Sequence, residues 1–126
     1  MRIKMCSIHV HDPAEAYEIY TRTLGFTDVL AVPDAELFIV AAPGSPEVGL
    51  LLEPSDNPVA EHYRSTLYAE GLPAIVLGVE DVRAEVARLR AAGIGFHGDV
   101  VEDSSGTSAI FDDGCGNYVQ LHEDTV

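Results

Sequence analysis

One pattern of segments occurs twice in these 126 residues, at an offset of 69. The first copy opens on the strand-like run Ile3 to Val10, turns at Asp12-Pro13 and enters an amphipathic helix ending at Leu24-Gly25. The second opens on Ala74 to Val79, turns at Glu80-Asp81 and carries a helix ending at Ala92-Gly93. Three strand-like segments follow each helix, the last being Val48 to Glu53 and Tyr118 to His122. Self-similarity at this period marks a duplicated β-α-β-β-β unit, and paired sheets of that kind suit a small-ligand cleft. The boundaries expected are module 1 at about 1–54, a linker at 55–72 and module 2 at about 73–126.

Local signals agree with the repeat. Asp12 suits a helix N-cap, Pro13 the first helical position, and Glu15 a capping-box partner. Ala16, Ile19, Tyr20, Thr23 and Leu24 follow at helical spacing, and Gly25 supplies a left-handed C-terminal residue. In the second helix Val82, Val86 and Leu89 form the apolar stripe and Gly93 ends it. Further strands are expected at Thr27 to Val32, Leu37 to Ala41, Ile94 to Val101 and Thr107 to Phe111. Asp112 to Asn117 reads as a glycine-bearing turn, and the linker is expected to hold a short helix around Ala60 to Tyr68.

Composition restricts the function. Apolar residues make up 47% of the chain, enough for a packed core in one ordinary domain. The net charge of −14, from 21 acidic and 7 basic residues, repels phosphate backbones and anionic membranes and attracts cations. Nucleic acid and membrane are therefore not expected partners. No apolar run reaches the roughly 20 residues needed to span a bilayer. Lys4, Ser7 and His9 interrupt any signal-peptide core, so a cytoplasmic location is expected. Cys6 and Cys115 lack metal-type spacing and read as a reduced pair.

Two segments carry a family likeness. Tyr20-Thr21-Arg22-Thr23-Leu24-Gly25-Phe26 resembles an "FY…LGF" helix ending, and Phe111 to Leu121 resembles an "F-x-DP-x-GN-x-x-x-L" hairpin. In these the chain resembles the vicinal oxygen chelate superfamily of glyoxalase I, extradiol dioxygenases and bleomycin-resistance proteins. The resemblance implies an α+β fold: two tandem βαβββ modules forming a curved mixed sheet around a cleft. It also implies a homodimer. Metal-dependent members place ligands on the first and last strand of each module, positions that fall here on Met5, Leu51, Ala74 and Gln120. Met5 to Leu51 and Ala74 to Gln120 share one spacing, 46 residues, which supports the register. Divalent metals want carboxylate oxygen or imidazole nitrogen. Three of the four residues offer neither, and a lone neutral amide is a poor ligand, so no metal and no cofactor are expected.

Strand alternation gives the expected cleft lining. Met5, Leu51, Ala74 and Val76 would form an apolar floor, with Ser7, His9, Glu53, Tyr118, Gln120 and His122 around it. That mixture suits an organic molecule, and the acidity makes a cationic, bleomycin-like antibiotic a candidate. Two alternatives remain open at this point. His9, Glu53 and His122 could form a shifted divalent-metal set for a lyase, isomerase or dioxygenase, or the protein could be a non-catalytic structural or regulatory dimer. His62, Tyr63, Tyr68 and His97 could close over a ligand or simply sit on a surface helix and an irregular strand.

Overall fold

The structure, a computed structural model, describes residues 1–125. Strand β1 (Met5–Val10) leads into helix α1 (Pro13–Glu18), which runs on as a π-helical stretch over Ile19–Thr23. Strands β2 (Thr27–Val32), β3 (Leu37–Ala41) and β4 (Gly49–Pro54) complete the first sheet, and helix α2 (Pro58–Ala69) follows. Strand β5 (Pro73–Gly78), helix α3 (Val82–Ala91) and strands β6 (Val101–Asp103), β7 (Gly106–Asp112) and β8 (Tyr118–Asp124) repeat the plan. The chain forms two compact units that divide within α2, after Arg64.

Each unit holds one four-stranded mixed sheet, ordered β1-β4-β3-β2 in the first and β5-β8-β7-β6 in the second. The outer pairs β1–β4 and β5–β8 are parallel, because the helix and two strands between them carry the chain back to the same end. The 69-residue repeat survives in this ladder. Ser7 faces Leu51 and His9 faces Glu53, as Val76 faces Gln120 and Gly78 faces His122. One irregularity breaks it: Pro73 faces Tyr118 while Ile75 faces Val119, leaving Ala74 as an extra residue in a bulge.

One face of each sheet is covered by its own helix. Ile8, Val10, Phe38, Val40, Leu50 and Leu52 alternate onto the covered face of the first sheet, and α1 contributes buried Pro13 and Ala16, with Tyr20 just beyond it. In the second unit Ala109, Phe111, Val119 and Leu121 are buried with Val82, Val86 and Leu89 of α3. Each such aliphatic or aromatic side chain contributes roughly 1.5–3 kcal/mol by leaving water, an upper estimate for a pre-collapsed unfolded chain. The N-caps form as the sequence implies: Asp12 accepts from the N–H groups of Ala14 and Glu15, and Asp81 from that of Ala84. Gly25 and Gly93 take φ of 86° and 89°, which a side chain would resist.

Three expectations need correction. Ile94 to Val101 is not a strand: only an isolated bridge joins Phe96 to Phe111, and the edge strand β6 begins at Val101. Gly95 and Gly98 interrupt that stretch, and Gly98 adopts a φ of 79°, incompatible with an extended ladder. The first helix does not keep its α-spacing to Leu24. The Leu24 N–H reaches Ile19, and the Thr21 hydroxyl bonds the Tyr17 carbonyl at 2.7 Å, so the last turn widens. The linker helix is longer than 60–68, since Asn57 caps it by accepting from the Ala60 N–H.

Candidate functional site

The functional interest lies on the face of each sheet turned away from its helix. In the first unit the register sets Ser7, Leu51, Ile39 and Leu30 in one row across all four strands. Met5, opposite Gly49, lies 43% exposed at one end. At the other end His9 faces Glu53, and their Nδ1 and Oε2 atoms are 3.8 Å apart. The result is an apolar strip with a half-exposed carboxylate and an imidazole at its head. Space at Gly49 is tight, because a Cβ there would stand 3.0 Å from the Ile39 side chain.

The second open face is built differently. Val76, Gln120 and Ile110 form its central row, and Gly78, His122, Ser108 and Val101 the next. Val76 is 58% exposed. Ala74 lies in the bulge, so the register that places Val76 and Gly78 does not extend to it. His122 is engaged inside its own unit: its Nε2 lies 3.1 Å from the Ser105 carbonyl oxygen and 3.4 Å from Asp124. That contact ties β8 to the turn between β6 and β7.

Tyr118 begins β8 and carries the most organised cluster in the unit. The Tyr68 ring, from the last turn of α2, stacks on it with centroids 4.5 Å apart and planes within 6°. His97 lies against Tyr118 at 4.7 Å, tilted by 43°. The Tyr68 hydroxyl donates to Asp112 Oδ2 at 2.5 Å, and Asp112 Oδ1 accepts from the Gly114 N–H at 2.8 Å. This bond to a carboxylate, with burial adding to it, raises the Tyr68 phenol well above its ordinary pKa. Tyr68 therefore stays a neutral donor throughout the physiological range.

The turn beneath this cluster explains why Asp112 is so well placed. Asp113 is fully buried and accepts from the N–H groups of Cys115 and Asn117 and from the Asn117 side chain. Gly114 and Gly116 sit at φ of 73° and 98°, the two positions where glycine is required. Cys115 fills the buried interior of the turn, with its thiol 3.4 Å from the Asp113 carbonyl oxygen. A separate hollow of about 330 Å³ is lined by Glu102, Asp103, Glu123 and Asp124 among others. Glu123 accepts the Val82 N–H there, and Asp103 holds the Ser105 turn.

This fold is shared with known proteins. The profile of the Glyoxalase/Bleomycin resistance protein/Dioxygenase superfamily matches residues 2–121. The chain belongs to that superfamily. It is 37% identical over 124 residues to the uncharacterized protein YurT of Bacillus subtilis (strain 168), covering 96% of this chain and 98% of YurT. Among solved structures, UcmS2 superposes with a TM-score of 0.83 at 30% identity, over 98% of each chain. TnmS3, an antibiotic-binding protein from Streptomyces sp. CB03234, superposes at 0.78 with 24% identity, over 99% of this chain and 97% of its own.

Superfamily membership raises the question of a metal, and the residues do not fit one. The positions that resemblance assigns to ligands hold a thioether, two aliphatic side chains and an amide: Met5, Leu51, Ala74 and Gln120. Among the described residues no group of three or more His, Cys, Asp or Glu side chains is arranged to hold an ion. Sequence reasoning missed Asp112, because it occupies the variable position of the hairpin motif. It left Tyr68 undecided, although Ala60, Arg64 and Tyr68 recur every fourth residue, the first two buried and Tyr68 half-buried.

Proposed function

We propose that this protein binds a small organic molecule without a metal ion, on the open sheet faces described above. The observation that carries the reading is the side-chain chemistry at the four superfamily ligand positions, which offer a divalent cation no carboxylate and no imidazole. The faces around those positions support it: apolar rows (Leu51, Ile39 and Leu30; Val76 and Ile110) beside a few polar groups (Ser7, His9, Glu53, Gln120). Sites for organic ligands have that composition, mainly apolar with a few fixed polar groups. The net charge of −14 favours a cationic ligand, and the antibiotic binding named for TnmS3 makes a cationic antibiotic the candidate class. The protein acts in the cytoplasm as a homodimer; light scattering that returns a monomer at micromolar concentration would remove the dimer from the proposal.

The reading is tested by titrating untagged, chelator-treated protein with metal-free bleomycin by calorimetry and thermal denaturation. Saturation at 100 times Kd should stabilise the fold by about 2.7 kcal/mol, a rise on the order of 10 °C in Tm. Absence of any heat or shift with bleomycin and with a panel of cationic antibiotics contradicts the proposal. The shifted metal set finds less support, because His122 is engaged with Ser105 and Asp124 in its own unit.

A further inference from the structure

Glu53 is a carboxylate on an open, mainly apolar sheet face that carries no lysine or arginine. Among the described residues it meets one basic group, His9 Nδ1 at 3.8 Å, too long for a hydrogen bond. Its side chain is 40% exposed, so the carboxylate remains open to an incoming group. The chain's own cations are engaged elsewhere. Arg22, Arg64, Arg83 and Arg88 pair with Glu18, Glu61, Glu102 and Glu85, and Arg90 lies over Phe96. The apolar part of the face is not explained by folding either. A bulge at Val29 shifts the β2 register, so that Leu30 faces Ile39 and Val32 faces Leu37. Without that extra residue Leu30 and Val32 would turn to the other side of the sheet. The helix packs on that other side, and Leu30 and Val32 stay 40% and 38% exposed. The bulge thus aims two large aliphatic side chains into solvent, beside Ile39 and Leu51, where the fold gains little from them. A second copy of the chain suits this ledge poorly. An isologous contact would set the same face, with no lysine or arginine, against Glu53 and bury its charge unpaired.

We propose that Glu53 holds the ammonium or guanidinium group of an amphipathic ligand whose apolar body lies along Leu51, Ile39, Leu30 and Val32. This rests on the small-molecule reading above and narrows its ligand class. A charge-assisted hydrogen bond to Glu53 fixes the polar end, and removal of the body from water supplies affinity without direction. β4, β3 and β2 are successive strands, so the ledge reaches about 10 Å from the strand of Glu53 to the sheet edge. Head and ledge both belong to the first unit.

The test uses two probes of nearly equal length and opposite charge, followed by fluorescence anisotropy. Dansylcadaverine carries a primary ammonium on a five-carbon chain, and dansyl-6-aminohexanoate carries a carboxylate in its place. Dansylcadaverine should bind one-to-one, and the anion at least about tenfold more weakly. Glu53→Gln keeps the shape of the side chain; it should weaken dansylcadaverine about tenfold and bring the two probes to similar affinity. Leu30→Ser removes part of the ledge and should weaken both probes severalfold and alike. Unchanged affinity and preference in Glu53→Gln overturns the head, and wild-type affinity in Leu30→Ser overturns the ledge. If Leu30→Ser does not fold, Glu53→Gln alone decides. Bleomycin binding to wild type without dansylcadaverine binding overturns the proposal and leaves the broader reading standing. A dimer that Leu30→Ser converts to a monomer in light scattering would put a second copy on the ledge and overturn the proposal as well. Failure of wild type to bind dansylcadaverine, bleomycin or any antibiotic of the panel brings down the broader reading, and the assignment of Glu53 with it.

Discussion

The two modules use the same ladder to carry different surfaces. In the first, Ser7 faces Leu51 and His9 faces Glu53; 69 residues on, Val76 faces Gln120 and Gly78 faces His122. These backbone partners correspond pair for pair, yet none of the four side chains is repeated; of the central rows only the isoleucine recurs, as Ile39 and Ile110. The covered faces behave otherwise, since aliphatic side chains recur there beneath each helix. A buried position must be filled and is constrained by volume, whereas an open strand position is free to change once pairing is secured. The hairpin ends differ too. Ala41 faces Gly49 across an exposed loop, while Asp112 faces Tyr118 across a shorter, buried turn tied by Asp113. The second module has thus converted its hairpin end into a rigid support.

Substitutions can break or sharpen this contrast. Leu52 is fully buried and Leu51, its neighbour, lies on the open row. Leu52→Ala should cost about 3–5 kcal/mol and Leu51→Ala under about 1.5 kcal/mol in urea melts; comparable losses would contradict the assignment of faces. Asp113→Ala should cost about 2–4 kcal/mol, since it strands buried N–H donors. Gly44→Ala, in the exposed loop of the first module where a Cβ meets nothing, should stay within about 0.5 kcal/mol. An inert Asp113→Ala would mean the turn is not the support described.

Tyr68→Phe should cost about 1 kcal/mol at neutral pH, through loss of a bond to a charged acceptor. The raised phenol pKa gives this contribution a pH window. It is fully present below the ordinary tyrosine value near 10 and fades as pH climbs toward the higher folded value. Alkaline absorbance titration should therefore show a late-ionising phenol that Tyr68→Phe lacks; identical curves would refute the bond. A small effect is expected at the head of the open row in the first module. Glu53→Gln should change stability by less than about 1 kcal/mol, because its pair with His9 is long and half-exposed. A larger loss would mean that Glu53 does structural work there.

Most of the fold is legible in the sequence because the duplication states each element twice. The helix caps at Asp12 and Asp81, the buried stripe of Val82, Val86 and Leu89, and the turn at Asp112 to Asn117 all follow from local chemistry. Ile94 to Val101 misleads because isoleucine, phenylalanine and valine suggest a strand while Gly95 and Gly98 prevent one. The Ala74 bulge is invisible, since a single extra residue alters no alternation that composition reveals. On the site, strand alternation groups Ser7 with His9, Leu51 with Glu53 and Gln120 with Tyr118, while the register that sets Ser7 against Leu51 and Val76 against Gln120 is seen only in the structure. It cannot find Tyr68 on Asp112, a contact across 44 residues that depends on how the end of α2 meets a hairpin.

The central claim is that this member of the superfamily takes an organic ligand with no metal ion between them. Calorimetry with bleomycin on untagged protein, performed with and without EDTA and paired with elemental analysis, tests it most directly. The account requires one-to-one binding of equal affinity in both buffers and less than about a tenth of an equivalent of any divalent metal. One equivalent of tightly held zinc, iron, nickel or manganese, whose removal abolishes binding, would contradict it.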